Sequence, residues 1–316
     1  MCYRAVQLLD LHSRMLIVTK SGLGMTTRGT VGSLLVGTVS VMGWLMAIGS
    51  ASAANIETGP GEQTALLEVP IDIFTYRPAD CVPSGFLIVF HGVDRNADAY
   101  RDNAKPLADK LCLIVAAPLF DNQRFPSWRY QHGGVVYRKA LQPDANWTGN
   151  LVLQLASWLR QQEKQAGMPY YLIGHSAGAQ FLSRAAAYIP SDARRIVIAN
   201  PSTHVLASLD DGPPYGFSGM PSAEEMLKRY LAAPVTILLG QEDHGSKNLA
   251  DDAEAEQQGA TRFERGERAF HQAEEVARQH GWPFGWRLVE VPGVGHSARS
   301  MFASPMAVDA LVGLKP

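Results

Sequence analysis

The stretch that most constrains the fold runs from Tyr170 to Gly178 and has the sequence Tyr-Tyr-Leu-Ile-Gly-His-Ser-Ala-Gly. Large apolar residues lead into a Gly-x-Ser-x-Gly pattern, and a run rich in small residues, Ala177 to Ala187, follows it. This order predicts a buried strand, a sharp turn at Ser176 and a helix that begins directly after the turn. The two glycines allow the strand and the helix to approach each other closely. The N-terminus of the helix favours negative charge beside the serine hydroxyl.

Strand and helix patterns alternate from residue 86 to the end of the chain. Short apolar runs predict buried strands at residues 86–90, 113–117, 195–199, 235–239 and 286–291, and looser alternation predicts opening strands at 65–76. Amphipathic spacing predicts helices at residues 99–111, 146–166, 222–231 and 261–280, with a short closing helix within 303–314. The expected fold class is therefore α/β, with a mostly parallel central sheet and helices on both faces.

Four polar features follow predicted strands of this sheet, and chemistry in such sheets gathers at the carboxyl ends of the strands. They are the His91-Gly92 pair, Ser176, Asp243 and His296. A serine hydroxyl needs an adjacent base to become nucleophilic, and a histidine base needs a carboxylate to orient it. We therefore expect a catalytic set of these last three residues, in that chain order. Three nearby acids compete with Asp243 for the orienting role: Glu242, Asp251 and Asp252.

An oxyanion formed by serine attack needs backbone N–H donors that are already in place. The expected donors are the N–H groups of Ala177 and Val93, with His91 and Gly92 supporting the second loop. His175 is expected to be structural, with its side chain directed away from the site. The other histidines near the predicted site are expected to be solvated rather than to line it: His132, His204 and His244.

Two loop segments contain many aromatic residues and little periodicity, residues 118–145 and 205–220. Long loops of this kind are often functional, so both are expected to form walls of the substrate pocket. The candidate apolar contacts are Trp128, Tyr130, Tyr215 and Phe217. The alternative is that these segments are packed surface loops.

The N-terminal segment predicts export. Residues 31–48 are almost unbroken apolar sequence after Arg28, and small residues follow at 49–54, where a signal peptidase would cleave. We expect a secretory signal peptide cleaved after Ala53, with translation starting at Met25 and a single domain over residues 54–316. The alternative is an uncleaved membrane anchor; cleavage would leave no stable membrane association. The expected location is periplasmic or extracellular.

The cysteines, the net charge and the spacing of candidate ligands indicate which bonds, partners and cofactors to expect. Cys81 and Cys112 are the two cysteines outside the N-terminal segment, and each precedes a predicted strand. Parallel neighbouring strands would place both at one sheet edge, which makes a disulfide or two buried thiols the alternatives. The formal net charge of −2 gives no basic footprint for nucleic acid. The sequence contains no metal-ligand spacing, and we expect neither a metal nor another cofactor.

With these residues placed, the chain resembles the α/β-hydrolase superfamily, and within it the secreted esterase and polyhydroxybutyrate-depolymerase-like group. The resemblance covers roughly residues 65–316 and is carried by Phe90 to Asp98, Gly174 to Gly178 and Val291 to His296. It implies that Ser176 is the nucleophile, His296 the general base and acid, and Asp243 the orienting acid. The sequence has no Ser/Thr-rich linker of the kind that joins a polymer-binding domain, so small or oligomeric esters are the expected substrates.

Three functions remain open at this point. The first is an exported serine hydrolase that cleaves carboxylic esters through an acyl-enzyme. The second is a serine peptidase of the prolyl-oligopeptidase-like type, which shares the same catalytic residues. No charged anchor for a peptide terminus is evident from the sequence. The third is a hydrolase fold retained as a non-catalytic binding protein, against which the intact set of candidate residues argues.

Overall fold

The predicted alternation of strands and helices is present in the computed structural model, which describes residues 55–313. The expected signal peptide, its cleavage point and the start at Met25 lie outside these residues. Within them, no helix has both the length and the apolar character that crossing a lipid bilayer requires.

The strands are β1 (Gly59–Ala65), β2 (Ile71–Arg77), β3 (Gly85–Phe90), β4 (Leu113–Pro118), β5 (Val136–Tyr137), β6 (Ala140–Leu141), β7 (Tyr170–His175), β8 (Arg195–Ala199), β9 (Val235–Gly240) and β10 (Arg287–Val291). The helices are α1 (Ala97–Leu111), α2 (Asn150–Gln162), α3 (Ala177–Tyr188), α4 (Ala223–Ala232), α5 (Ala253–Glu256), α6 (Arg262–His280), α7 (Ala298–Ala303) and α8 (Pro305–Val312).

Eight of the strands form one sheet in the order β1-β2-β4-β3-β7-β8-β9-β10. The neighbours from β4 to β10 pair in parallel, whereas β1 pairs antiparallel with β2, and β2 antiparallel with β4. The short strands β5 and β6 pair only with each other. The expected α/β fold with a mostly parallel central sheet is confirmed.

The sheet is covered by helices on both faces, as the continuous apolar strands require. In β3, Phe86 and Phe90 belong to one buried cluster and Leu87 and Val89 to another, because successive side chains point to opposite faces. Helices α2, α3, α4 and α6 contribute to the first cluster. Helices α1, α7 and α8 contribute to the second.

Three predicted elements differ from those observed. Of the opening strands expected at residues 65–76, β2 lies in that range, but β1 ends at Ala65 and lies almost wholly before it. Helix α2 ends at Gln162 rather than near residue 166, because Lys164 has a φ of +54° and the Glu163 carboxylate binds Arg77 and the N–H of Ile56. The closing segment contains two helices instead of one. Ser297 caps the first of them and Ser304 caps the second, so the capping residues marked both starts.

Candidate active site

Ser176 lies in a sharp turn between β7 and α3. Its φ of 58° and ψ of −118° fall in a region that non-glycine residues rarely occupy, and such strain concentrates at functional sites. The turn is fixed from both sides, since the Ser176 N–H donates to the Ala199 carbonyl at 3.0 Å and its carbonyl accepts from Gln180 at 3.0 Å. The residue is 8% exposed, so its hydroxyl lies at the edge of the buried interior.

The close approach of α3 to the sheet depends on the glycine at 178. A Cβ atom there would collide with the carbonyl oxygen of Phe90, the last residue of β3. Backbone cannot move aside as a flexible side chain can, so any larger residue would push the turn out of position. This is the physical role of the second glycine in the Gly-x-Ser-x-Gly pattern.

The structure joins Ser176, His296 and Asp243 in one chain of hydrogen bonds. The His296 Nδ1 lies 2.6 Å from the Asp243 Oδ2, and the His296 Nε2 lies 3.0 Å from the Ser176 Oγ. Because the carboxylate can only accept, it selects the tautomer with the proton on Nδ1. The Nε2 is then free to accept the serine proton. Loops after β7, β9 and β10 bring the three residues together.

Asp243 is the only one of the four candidate acids that reaches His296 among the described residues. It is 1% exposed. Glu242 and Asp251 are exposed, and Asp252 instead caps α5 and accepts a hydrogen bond from Tyr215. The competition that the sequence left open is therefore decided by which carboxylate faces the histidine.

A buried arginine, which the sequence analysis did not select, lies behind the Asp243 carboxylate. The Arg262 Nη1 is 3.5 Å from the Asp243 Oδ1, and its side chain is 1% exposed. Its two terminal nitrogens also donate to the carbonyls of Gly245 and Lys247, at 2.9 and 2.6 Å. Burial lowers the pKa of Arg262, while the nearby Asp243 raises it. No pattern in the sequence distinguishes this arginine from the other charged residues of α6.

The expectation that the His175 side chain points away from the site is wrong. Its ring lies 4.6 Å from that of His296, and its Nδ1 lies 3.2 Å from the Tyr100 hydroxyl. His175 shares a sheet face with Ile173, two residues earlier, and the loop that carries His296 folds over that same face. Burial lowers the pKa of His175 well below its usual value, so the ring is neutral.

His91 supports the loop that follows β3, as expected. Its Nε2 accepts the Phe120 N–H at 3.0 Å, so the Nδ1 carries the proton and donates to the Gly92 carbonyl at 2.9 Å. Burial lowers the pKa of His91 to about 4, which keeps the ring neutral. The Tyr130 hydroxyl donates to the His91 carbonyl at 2.8 Å. A Cβ at Gly92 would lie 2.7 Å from the Tyr100 hydroxyl oxygen, so the loop can lie close only with glycine there.

The two expected oxyanion donors lie near Ser176. Ala177 directly follows the serine, and Val93 lines the same cleft as Ser176. Within residues 55–313, neither N–H donates to a backbone carbonyl. Both donors thus remain predictions that the geometry permits.

Ser176 and His296 open into a cleft of about 450 Å³. Most of the residues that line it are polar in type, and they include three cationic side chains and one acidic side chain: Lys247, Arg262, Arg299 and Asp94. Asparagines and serines supply much of the remainder, and Tyr100 is the one aromatic ring apart from the two histidines among the residues that line it.

None of the four predicted aromatic contacts lines this cleft, so that prediction is wrong. Tyr130 and Phe217 are fully buried, and Tyr215 is 9% exposed with its hydroxyl bound to Asp252. Trp128 packs against Tyr137 and lines a different groove. The buried rings pack against the helices: Tyr130 stacks on Phe181 of α3, and Phe217 contacts Tyr188 of α3 and Tyr230 of α4. Burial of these rings removes apolar area from water and stabilises the fold.

The other three histidines do not share one environment. His244 is exposed, as expected. His204 is 1% exposed, and burial lowers its pKa to about 3, so the expectation that it is solvated is wrong. His132 is half-buried, and burial lowers its pKa to about 4.

Cys81 and Cys112 are joined by a disulfide. They precede the parallel neighbours β3 and β4, and their Cα atoms are 6.1 Å apart. Of the two alternatives left by the sequence, the structure has the disulfide, which ties the start of β3 to the end of α1.

Solved structures with the same fold include two that are also similar in sequence. One is LpqC, a poly(3-hydroxybutyrate) depolymerase from Bordetella parapertussis, with 32% identity over 80% of this chain and 90% of that chain and a TM-score of 0.74. The other is poly(aspartic acid) hydrolase-1 from Sphingomonas sp. KT-1, with 30% identity over 78% of this chain and 96% of that chain and a TM-score of 0.73.

A third structure shares the fold alone. The S-formylglutathione hydrolase FrmB from Staphylococcus aureus is 12% identical, covers 80% of this chain and 98% of its own, and has a TM-score of 0.52. No protein-family model and no curated protein sequence matches the chain. With more than 30% identity to LpqC over most of both chains, this protein belongs to the α/β-hydrolase superfamily.

Proposed function

We propose that this protein is an exported serine hydrolase that cleaves small or oligomeric carboxylic esters through an acyl-enzyme. One observation carries the proposal: the continuous hydrogen-bond chain from Ser176 through His296 to Asp243, at the floor of an open cleft. A nucleophile, a base and a buried acid in this arrangement are the components that acyl transfer requires.

In the first half of the reaction, the Ser176 Oγ attacks the ester carbonyl while the His296 Nε2 accepts its proton. The negative charge that develops on the carbonyl oxygen is stabilised by the N–H groups of Ala177 and Val93. The tetrahedral intermediate then breaks its bond to the alkoxy oxygen, and His296 returns the proton to that oxygen. The alcohol leaves, and the acyl group remains on Ser176.

In the second half, water replaces the alcohol. His296 removes a proton from the water as it attacks the acyl carbon, and the same N–H groups stabilise the second oxyanion. Collapse of that intermediate releases the carboxylic acid and returns the proton to the Ser176 oxygen. Asp243 accepts the His296 Nδ1–H throughout and stabilises the imidazolium that forms twice in each turnover. These steps need no cofactor.

Two similar proteins guide the choice of substrate. LpqC is described as a poly(3-hydroxybutyrate) depolymerase, which supports esters as the substrate class. The poly(aspartic acid) hydrolase supports amide cleavage as a second candidate, because poly(aspartic acid) is a polyamide. Export is supported by the apolar N-terminal segment with its small-residue site and by the Cys81–Cys112 disulfide, which is typical of oxidising compartments.

The test is labelling of the purified protein with a fluorophosphonate, together with assays on an ester and an amide that share one acyl group. We expect labelling and ester turnover in the native protein and neither in Ser176→Ala. Faster turnover of the amide would favour the peptidase-like alternative. A folded native protein that neither labels nor turns over either substrate would contradict catalysis and support a binding role.

A further inference from the structure

The walls of the catalytic cleft carry an excess of positive charge. Lys247, Arg262 and Arg299 line it together with a single acid, Asp94, although the chain as a whole has a formal net charge of −2. A cationic cleft in a mildly acidic protein attracts anionic ligands, because clefts concentrate the electric field of the charges that line them.

Two of these cations have no acidic partner among the described residues. Lys247 and Arg299 are exposed, and neither takes part in an ion pair within residues 55–313. By contrast, Arg262 lies beside Asp243. The ammonium group of Lys247 and the guanidinium group of Arg299 are thus available to an anion in the cleft.

The backbone beneath both cations is held in place. The buried Arg262 donates to the carbonyls of Gly245 and Lys247, which fixes the loop on which Lys247 stands. Arg299 lies in the first turn of α7, and the Ser297 hydroxyl caps that turn by accepting the Ser300 N–H at 3.3 Å. A site whose backbone is fixed beforehand loses less entropy when a ligand binds.

The two cations come from the same loops as the catalytic groups. Lys247 lies four residues after Asp243, and Arg299 lies three residues after His296. Asp94 instead follows Val93 in the loop on the oxyanion side. The two exposed cations of the cleft are therefore carried by the loops of Asp243 and His296, and the one acid is carried by the loop of Val93.

We propose that the cleft selects esters that carry a carboxylate, with Lys247 and Arg299 as the residues that bind it. The inference rests on the proposed hydrolase function and adds a substrate class to it. The carboxylate lies beside Lys247 and Arg299 while the scissile carbonyl lies over Ser176.

The test compares two esters of equal chain length, mono-4-nitrophenyl adipate with a free carboxylate and 4-nitrophenyl hexanoate without one. The variants are Lys247→Gln, Arg299→Gln and the double variant. We expect the ratio of kcat/KM for adipate over hexanoate to fall a few-fold in each single variant and roughly tenfold in the double variant. Raising the salt concentration should lower the native ratio towards that of the double variant, because exposed charges are screened.

The matched control removes the same two charge types elsewhere. Lys228 on α4 and Arg268 on α6 are exposed and do not line the cleft. The variant Lys228→Gln/Arg268→Gln should keep the native ratio. A ratio in the Lys247/Arg299 double variant that equals that of the control would overturn the proposal.

Failure of the inference and failure of the proposed function give different results. If the cations do not bind the carboxylate, the protein still labels with fluorophosphonate and hydrolyses hexanoate, and only the ratio fails to respond. If the protein is not a serine hydrolase, neither ester is turned over and Ser176 does not label. If the adipate preference is found and depends on the two cations, the glutarate and suberate monoesters measure how far the carboxylate site lies from the scissile carbonyl.

Discussion

The cleft around Ser176 and the loop of residues 118–145 differ in nearly every respect that decides function. The cleft is open, has about 450 Å³ of space, and has several charged residues in its lining. The loop is rich in aromatic residues, and Phe120, Phe125 and Tyr130 are fully buried. We name these three rings and Phe181 of α3 the aromatic cluster; their centroids lie 4.9 to 5.4 Å apart where they contact. In this loop, the many aromatic residues form part of the hydrophobic core.

The two regions meet at His91. The Tyr130 hydroxyl donates to the His91 carbonyl, and the Phe120 N–H donates to the His91 Nε2. Arg95 adds to this connection, since its guanidinium donates to the carbonyls of Phe120 and Phe125 and lies 4.4 Å from the centre of the Tyr130 ring. The aromatic cluster therefore supports the loop after β3, which carries His91, Gly92 and Val93 and is called the oxyanion loop below. It does not form a wall of the substrate cleft.

The largest expected effect is a loss of activity with almost no loss of stability, caused by a substitution in the cleft. Ser176→Ala should lower kcat for ester hydrolysis by at least about 10⁴-fold, because the nucleophile is removed. The free energy of unfolding should change by less than about 1 kcal/mol, since the side chain is small and the strained turn remains. Hydrolysis assays and urea denaturation on the same sample measure both quantities. A variant that keeps a tenth of the activity would contradict the assignment of Ser176.

The aromatic cluster should behave in the opposite way. Phe120→Ala should lower the free energy of unfolding by about 3 to 5 kcal/mol, because it leaves a cavity among Phe90, Phe125 and Phe181. Urea denaturation measures the change.

Leu141→Ala is the matched control for that substitution, since Leu141 lies in the same loop but is 40% exposed. It should cost less than about 1 kcal/mol. Equal losses in Phe120→Ala and Leu141→Ala would show that the loop has no core of its own.

Acidification should weaken the buried scaffold. The folded protein holds the pKa of His91 at about 4 and that of His204 at about 3, whereas an unfolded histidine has a pKa of about 6.5. Between these values the unfolded chain binds more protons, so stability is full above pH 6.5 and falls as the pH drops. Each histidine contributes a slope of up to about 1.4 kcal/mol per pH unit.

Denaturation curves between pH 7 and pH 4 measure that slope. Replacing His204 with glutamine should remove the contribution of one proton from the slope of unfolding free energy against pH. His271→Gln, at an exposed position, should leave this slope unchanged. An unchanged slope in His204→Gln would mean that His204 becomes protonated without unfolding the protein.

Two buried arginines of α6 allow the effect of a cation on the catalytic carboxylate to be distinguished from the effect of anchoring loops on stability. Arg262 contacts Asp243, whereas Arg265 donates to the carbonyls of Ser202, Ala250 and Gly259. Arg262→Met should lower kcat several-fold, because it removes the cation beside the Asp243 carboxylate that orients His296. Arg265→Met should destabilise the protein and leave kcat within about twofold of the native value, because Arg265 does not contact Asp243. Equal kcat values in the two variants would assign Arg262 a structural role alone.

The smallest expected effect concerns the contact between the two regions. Tyr130→Phe removes the hydroxyl that donates to the His91 carbonyl and should cost about 1 kcal/mol of stability. It should also lower kcat a few-fold, because the loop that carries Val93 becomes less well held. Tyr137→Phe, at a position that is 38% exposed, is the control and should change neither quantity. Loss of stability with unchanged kcat would mean that the cluster does not support the oxyanion loop.

Local patterns predicted the elements that local chemistry controls. Continuous apolar runs identified the buried strands, and the Gly-x-Ser-x-Gly pattern identified the turn at Ser176 with its unusual φ. The order of polar residues after strands identified which side chains meet, since parallel strands end at one edge of a sheet. The serines at 297 and 304 cap α7 and α8, whereas the apolar pattern of the closing segment predicts a single helix.

The remaining features depend on contacts between distant segments. Whether an aromatic ring in a loop faces substrate or its own core depends on how the loop folds back, and this reversed the expectation for Tyr130 and Phe217. The positions of His175 beside His296 and of Arg262 beside Asp243 arise from packing across the sheet. The sequence by itself determined the superfamily fold and the pairing of Ser176 with His296, because strand burial and strand order are encoded locally; which of the four candidate acids completes the chain depended on the fold of the loop after β9. Only the tertiary structure decided the charge and shape of the cleft, because its walls come from loops whose approach no local pattern specifies.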